Sequence, residues 1–154
     1  MPTHYDGPAE ERSALDVMVK LMRAARSMSD WIDAAIAPTG LTDSQFGVLE
    51  TLYHLGPLKP SQLADKHLTS RNNLTVIIDN LEARALVRRE RDTQDRRAIH
   101  VHLTDSGRAL IKQALPGFVT AIVGRISVLS EEEREVLGAL LRKLGRQETF
   151  SDET

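Results

Sequence analysis

From Ser70 to Asp79 the chain reads SRNNLTVIID, and two kinds of residue share that run. Leu74, Ile77, Ile78, Leu81 and, further on, Ala85 fall at helical spacing and predict one buried stripe. The other face carries Arg71, Asn72, Asn73, Thr75, Val76 and Asp79. An ordinary solvated face is built from Lys and Glu, which favour helix. Short amides, a hydroxyl and methyl-bearing side chains are instead the groups that pair with base edges. Just beyond lie Arg84, Arg88, Arg89, Arg91, Arg96 and Arg97, with no lysine among them. A guanidinium offers a planar donor fork and sheds water more readily than an ammonium, which suits phosphate and a narrow minor groove. Glu90, Asp92 and Asp95 are interleaved, so the arginines alone are equally consistent with a salt-bridged surface. The neighbouring helix face tips the balance toward nucleic acid.

The overall charge conceals this. The 154 residues sum to a formal -2, which taken alone argues against a phosphate-binding partner. From Lys59 to Arg108, however, ten basic residues meet seven acidic ones, a local surplus of +3, and the remainder carries -5. The surplus therefore falls where the candidate contact residues are.

Other chemistries find little support. There is no cysteine, which excludes disulfides, thiolate metal sites and thiol switches and fits a reducing cytoplasm. The five histidines include His54, His67, His100 and His102 but form no HExxH or compact ligand set, so we expect neither a metal nor a cofactor. Acids, bases and nucleophiles are scattered and no glycine-rich phosphate loop occurs, so no catalytic residue is assigned. The longest uncharged stretch, residues 113–124, is shorter than a bilayer requires, and the N-terminal dozen residues lack a signal-peptide core. No membrane association is expected.

The elements that must hold the candidate face follow from periodicity and caps. After a loose N-terminal arm, Leu15, Met18, Met22, Ala25, Ile32 and Ile36 predict a long amphipathic helix from about Glu11 to Ala37, stopped by Pro38 and Gly40. It is longer than one small domain needs, so part of it is expected to face a partner chain. Thr42-Asp43-Ser44-Gln45 is a capping box opening a second helix that ends at Gly56-Pro57. A short third helix begins near Pro60 and runs to about His67. Thr69 and Ser70 are candidate caps of the fourth. Val87–Arg91 and Ala98–Leu103 predict two strands around the polar turn DTQDRR, with Ile99, Val101 and Leu103 on one face. Thr104 caps a further helix that Pro116 and Gly117 are expected to kink or break. A second capping box at Ser130–Glu133 opens the last helix, whose stripe is Val136, Leu137, Leu140, Leu141 and Leu144.

A short helix, a turn, an amide-faced helix and an arginine-tipped hairpin is the plan of a winged helix-turn-helix. Within it, Asp95-Arg96-Arg97 followed by Leu103-Thr104-Asp105-Ser106-Gly107 resembles the Asp-x-Arg and Leu-Thr-x-x-Gly signature of the MarR (multiple antibiotic resistance regulator) family. With LTDSQFGVLETL and LTVIIDNLEARALVRRERD, the resemblance extends from Leu15 to Leu144.

The resemblance implies a mainly α fold with a small β-hairpin wing, six helices and an intertwined homodimer that represses transcription from a pseudo-palindromic double-stranded DNA operator. Residues 1–40 would supply an arm and a dimerisation helix, residues 41–104 the DNA-binding lobe, and residues 105–154 the remaining dimerisation helices. The dimer contacts would include Leu15, Met18, Met22, Val136, Leu137, Leu140, Leu141 and Leu144. Ser70, Arg71, Asn72, Asn73, Thr75 and Val76 match the recognition helix. Arg89, Arg91, Asp95, Arg96 and Arg97 match the wing, with Arg97 as the minor-groove arginine and Asp95 as the carboxylate that holds it. Ala85 stands where the family often has glycine, which puts a left-handed helix cap in doubt. The fourth helix also resembles a branch associated with aromatic or quinone-like inducers. A small-molecule effector would then sit in a cleft near Trp31, Phe46, Tyr53 and His54. The competing readings are a winged helix that binds protein instead of DNA, and a metal-responsive regulator.

Overall fold

The computed structural model describes residues 4–67 and 71–145. In chain order the elements are α1 (Ala9–Ile36), a 3-10 turn (Ala37–Thr39), α2 (Asp43–Leu55), α3 (Pro60–Lys66), α4 (Arg71–Ala83), β1 (Val87–Arg91), β2 (Ile99–Leu103), α5 (Asp105–Ile126) and α6 (Glu131–Gly145). They divide into two units, one extending to Phe118 and one beginning at Val119.

In the first unit, local signals set the helix boundaries. Gly40 adopts a left-handed φ of 68° after the 3-10 turn, a conformation that disfavours a side chain. Thr42 then opens α2: its hydroxyl accepts the Gln45 N–H at 3.2 Å, and the Gln45 side chain accepts the Thr42 N–H at 3.1 Å. Pro60 occupies the first turn of α3, where its missing N–H has no helical partner. Thr69 and Ser70, expected to cap α4, lie outside the described residues.

The core draws on every α-helix and both strands of this unit. Ile36 from α1, Phe46, Val48, Leu49 and Leu52 from α2, and Leu63 from α3 are buried with Leu74, Ile78 and Leu81 from α4. Leu41, Ala64 and Leu86, with Val87 and Val101 from the hairpin and Ile111 from α5, complete the cluster. The antiparallel strands pair Val87 with Leu103 and Arg91 with Ile99. Two strands this short need support. Leu58, between α2 and α3, supplies it by exchanging main-chain hydrogen bonds with Val101 at 3.3 and 2.8 Å. Ile99, expected to point inward with Val101 and Leu103, is exposed at the outer end of the hairpin.

Two expectations about helix ends are corrected. Ala85 is exposed and does not belong to the buried stripe, because α4 stops at Ala83. It nevertheless adopts the left-handed conformation, with φ 55°. The Leu86 N–H reaches Leu81 O at 3.0 Å and the Ala85 N–H reaches Glu82 O at 2.9 Å, a Schellman cap with alanine in glycine's place. Pro116, in turn, does not break α5, which runs through it.

The start of α5 explains the Leu-Thr-x-x-Gly signature physically. Thr104 Oγ1 accepts the Gly107 N–H at 3.0 Å and donates to Ala85 O at 2.6 Å. Its own N–H donates to Leu86 O at 3.1 Å. A Cβ on Gly107 would lie 2.0 Å from that same Leu86 oxygen. The signature therefore seats the first turn of α5 against the link between α4 and β1. By length and composition α5 is apolar enough to cross a membrane. Its first half buries Gly107 and Ile111 and packs Leu110, Ala114, Leu115 and Phe118 against the core.

In the second unit, Ser130 and Glu133 form the expected capping box at the start of α6, at 2.8 and 3.2 Å. None of its described residues is buried, and Val136, Leu137, Leu140, Leu141 and Leu144 make an exposed apolar stripe.

Candidate nucleic-acid interface

α4 is held by its apolar stripe, which leaves the polar face exposed. Leu74, Ile78 and Leu81 are buried while Arg71, Asn72, Asn73, Thr75, Val76 and Asp79 are exposed. Thr75 donates its hydroxyl to Arg71 O at 2.9 Å, which satisfies the donor within the helix. Val76 is 58% exposed, an apolar residue with no part in the core. Such a surface suits a thymine methyl. Ser70 lies outside the described residues.

The six arginines separate into two groups. Arg84 donates to Gly40 O at 2.9 Å and Thr39 O at 3.2 Å. Arg88 pairs with Glu90 and donates to Leu103 O at 3.1 Å. Arg89 reaches back to α4, to Asp79 and Glu82 at 2.5 Å each, and the Glu82 carboxylate also accepts the Arg89 N–H at 3.1 Å. Burial pulls the Arg89 pKa down, but the two carboxylates outweigh it and hold the guanidinium above its ordinary value. Arg89 was expected on the wing surface; it is 27% exposed in its side chain and braces α4 against β1. Arg91, Arg96 and Arg97 are exposed and form no ion pair among the described residues.

The wing turn is built from two aspartates. Asp92 Oδ1 accepts the N–H groups of Gln94 at 2.7 Å and Asp95 at 3.2 Å, which hold its carboxyl below the usual range. Asp95 Oδ1 accepts the Arg97 N–H at 3.0 Å. The expectation that Asp95 grips the Arg97 guanidinium is thereby modified: the carboxylate fixes the main chain and leaves the side chain to reach outward. On the hairpin His100 lies 3.6 Å from Asp92 and His102 3.4 Å from Glu90. Among the described residues no group of three His, Asp or Glu is placed to hold a metal ion.

Of the four residues expected to line an effector cleft, Phe46 is buried, Tyr53 half-buried, and Trp31 and His54 exposed. Phe46 is 2% exposed and packs on Phe118 with ring centroids 4.8 Å apart, so it is core. Tyr53 lies under the Arg108 guanidinium and edge-on to His54, which pairs with Glu50 at 3.4 Å. Trp31 is exposed on α1. A cavity of about 300 Å³ lies instead between Ala35, Pro38 and Thr39 on one side and Leu110, Gln113, Ala114 and Gly117 on the other. Periodicity could not find it, since its walls come from segments some seventy residues apart.

A helix with an exposed amide face, set beside a hairpin that carries three exposed arginines without an ion pair among the described residues, defines a winged helix-turn-helix DNA-binding regulator. Comparison with known proteins agrees. The MarR family profile matches residues 41–99. The chain is 36% identical over 132 residues to the HTH-type transcriptional regulator MhqR of Bacillus subtilis, covering 86% of this chain and 91% of that one. It superposes with a TM-score of 0.77 and 26% identity on BpsR of Bordetella bronchiseptica, covering 96% and 100% of the two chains. AbsC, a MarR family regulator of Streptomyces coelicolor, shares the fold with a TM-score of 0.80, 23% identity and coverage of 93% and 96%. The chain belongs to the MarR family of DNA-binding transcriptional regulators.

Proposed function

We propose that the chain acts in the cytoplasm as a homodimeric repressor that leaves a pseudo-palindromic operator when a small ligand binds. The observation that carries this reading is the division among the arginines. Arg84, Arg88 and Arg89 hold the lobe together, whereas Arg91, Arg96 and Arg97 remain exposed on the hairpin beside an amide-faced helix. Arg71, Asn72, Asn73, Thr75 and Val76 enter the major groove, with Ser70 at the helix start, and the wing arginines reach the flanking backbone and minor groove.

The dimer is supported by apolar surface that each unit leaves uncovered. On α1, Met18 and Met22 are exposed and Leu15 is half-buried. On α6 the whole stripe from Val136 to Leu144 is exposed. Surface of that kind marks an interface. For the effector, the cavity walled by Pro38, Thr39, Leu110 and Ala114 replaces the cleft expected from sequence. BpsR, similar in fold, is described by its regulation of DNA binding by 6-hydroxynicotinic acid. A largely apolar cavity with the polar ends of Thr39 and Gln113 would suit a planar ligand of that general kind.

Selection of bound DNA from a random library tests the reading. A palindromic consensus with half-site centres about 10 base pairs apart is expected. Recovery of no consensus would support the protein-binding alternative.

A further inference from the structure

Arg84 directly follows the last residue of α4, and its side chain donates hydrogen bonds to Gly40 and Thr39, outside that helix. Nη1 donates to Gly40 O at 2.9 Å and Nη2 to Thr39 O at 3.2 Å, across more than forty residues of sequence. The receiving segment is the end of α1 and its 3-10 turn, where carbonyls lack helical partners and the helix dipole is negative. α1 has no basic residue in its last turn. Arg84 provides that cation from another element. A planar fork can hold two successive carbonyls at once, which an ammonium cannot match.

The same turn is held tightly on its other side. Thr39 Oγ1 donates to Ile36 O at 2.6 Å and accepts the Leu41 N–H at 3.1 Å, while Ile36 and Leu41 are both buried in the core. These bonds tie the turn to the core at both of its ends. Its Pro38 and Thr39 also form one wall of the 300 Å³ cavity, opposite Leu110, Gln113, Ala114 and Gly117. A single rigid turn thus touches the cavity with its side chains and the recognition helix through its carbonyls.

We propose that Arg84 is a positioning residue that relays occupancy of the cavity between the 3-10 turn and α5 to the recognition helix α4. This rests on the proposed effector role of the cavity. Displacing the turn moves the Thr39 and Gly40 carbonyls, and Arg84 either follows, tilting α4, or releases it. An occupant can release DNA only by the difference in its affinity for the two placements of the turn.

The test requires no known effector. Gly117→Met fills the cavity from its α5 wall, where a Cβ on Gly117 meets nothing within 4 Å, and Ala114→Leu is the second filler should the first fail to fold. Each is combined with Arg84→Gln, and affinity for the selected operator is measured by fluorescence anisotropy across a salt series. The filler is expected to weaken binding by about tenfold with Arg84 present, and by less than about twofold in the Arg84→Gln background, where the guanidinium fork is gone. Arg84→Gln alone is expected to leave the slope of affinity against salt unchanged, since the relay touches no phosphate. An equal loss from the filler in both backgrounds would overturn the relay while sparing the effector cavity. No loss in either background would overturn both. A slope reduced by about one in Arg84→Gln would make Arg84 a phosphate contact and overturn the relay.

Discussion

Asp95 Oδ1 accepts the main-chain N–H of Arg97 at 3.0 Å, so the wing-tip carboxylate restrains the backbone that carries the arginine and leaves its guanidinium exposed. A side chain launched from a fixed main chain has less freedom to lose on binding. Arg97→Ala should lower operator affinity on the order of tenfold. Asp95→Ala should cost less, and almost nothing further when Arg97 is already alanine. A double-mutant cycle by anisotropy checks this: additive losses would mean that Asp95 acts independently of Arg97.

Arg89 couples the recognition helix to the hairpin through Asp79 and Glu82. Both carboxylates are more than a third exposed, so solvent screens the pairs. Arg89→Met should lower unfolding stability by only about 1 kcal/mol, measured by urea denaturation. Its larger effect should fall on affinity, because α4 is no longer held to β1 while its base-reading side chains are intact. The selected consensus should remain the same; a changed consensus would place Arg89 in the groove.

The turn after α4 contains one strained position and one crowded one. Ala85 holds a φ of 55°, which costs an alanine about 1–2 kcal/mol, partly offset by its smaller unfolded-state entropy relative to glycine. Ala85→Gly should raise stability by roughly 0.5–1 kcal/mol, or about 2 °C in Tm. Gly107→Ala should act in the opposite direction. Its Cβ meets main-chain atoms of Leu86 that cannot rotate away, and a loss of about 2 kcal/mol or more is expected by thermal unfolding.

Acid should loosen the wing before the core. The N–H groups of Gln94 and Asp95 hold the Asp92 carboxyl below its ordinary 3.8, and the Arg88 hydrogen bond holds Glu90 below its ordinary 4.5. A carboxyl whose folded-state pKa is depressed contributes stability above the unfolded value, and that contribution is lost as pH falls through the folded value. The window therefore lies below about pH 4. Protection of the Gln94 and Asp95 amides, measured by hydrogen exchange relative to the intrinsic rate at each pH, should fall there in the native protein. In Asp92→Asn the acid-dependent loss of protection at these two amides should be absent, while any step due to Glu90 remains.

Local signals were legible in the sequence because they act over a few residues. Caps at Thr42 and Ser130, the proline that opens α3, the apolar stripe of α4 and the extent of β2 follow from hydrogen-bonding and burial rules of short range. The exposed face of α4 and the arginine surplus beyond it were readable for the same reason, and with the Leu-Thr-x-x-Gly signature they led to the family. Which arginines are available was not readable. Arg89 and Arg91 lie on the same strand, yet Arg89 meets two α4 carboxylates and Arg91 remains exposed.

The cavity between the 3-10 turn and α5 was not readable for a related reason. Aromatic residues were the natural sequence markers of a cleft, but Phe46 fills the core and the cavity walls are Ala, Pro, Thr, Leu, Gln and Gly from α1, the 3-10 turn and α5. A cavity is defined by the space between elements, which no single segment encodes. The sequence by itself determined the elements, their caps, the family and the exposed amide-rich face of α4, because each depends on neighbours along the chain. Only tertiary packing decided that Arg84 and Arg89 brace while Arg91, Arg96 and Arg97 form no ion pair among the described residues, since a guanidinium's role depends on which carboxylates and carbonyls the fold brings within its reach.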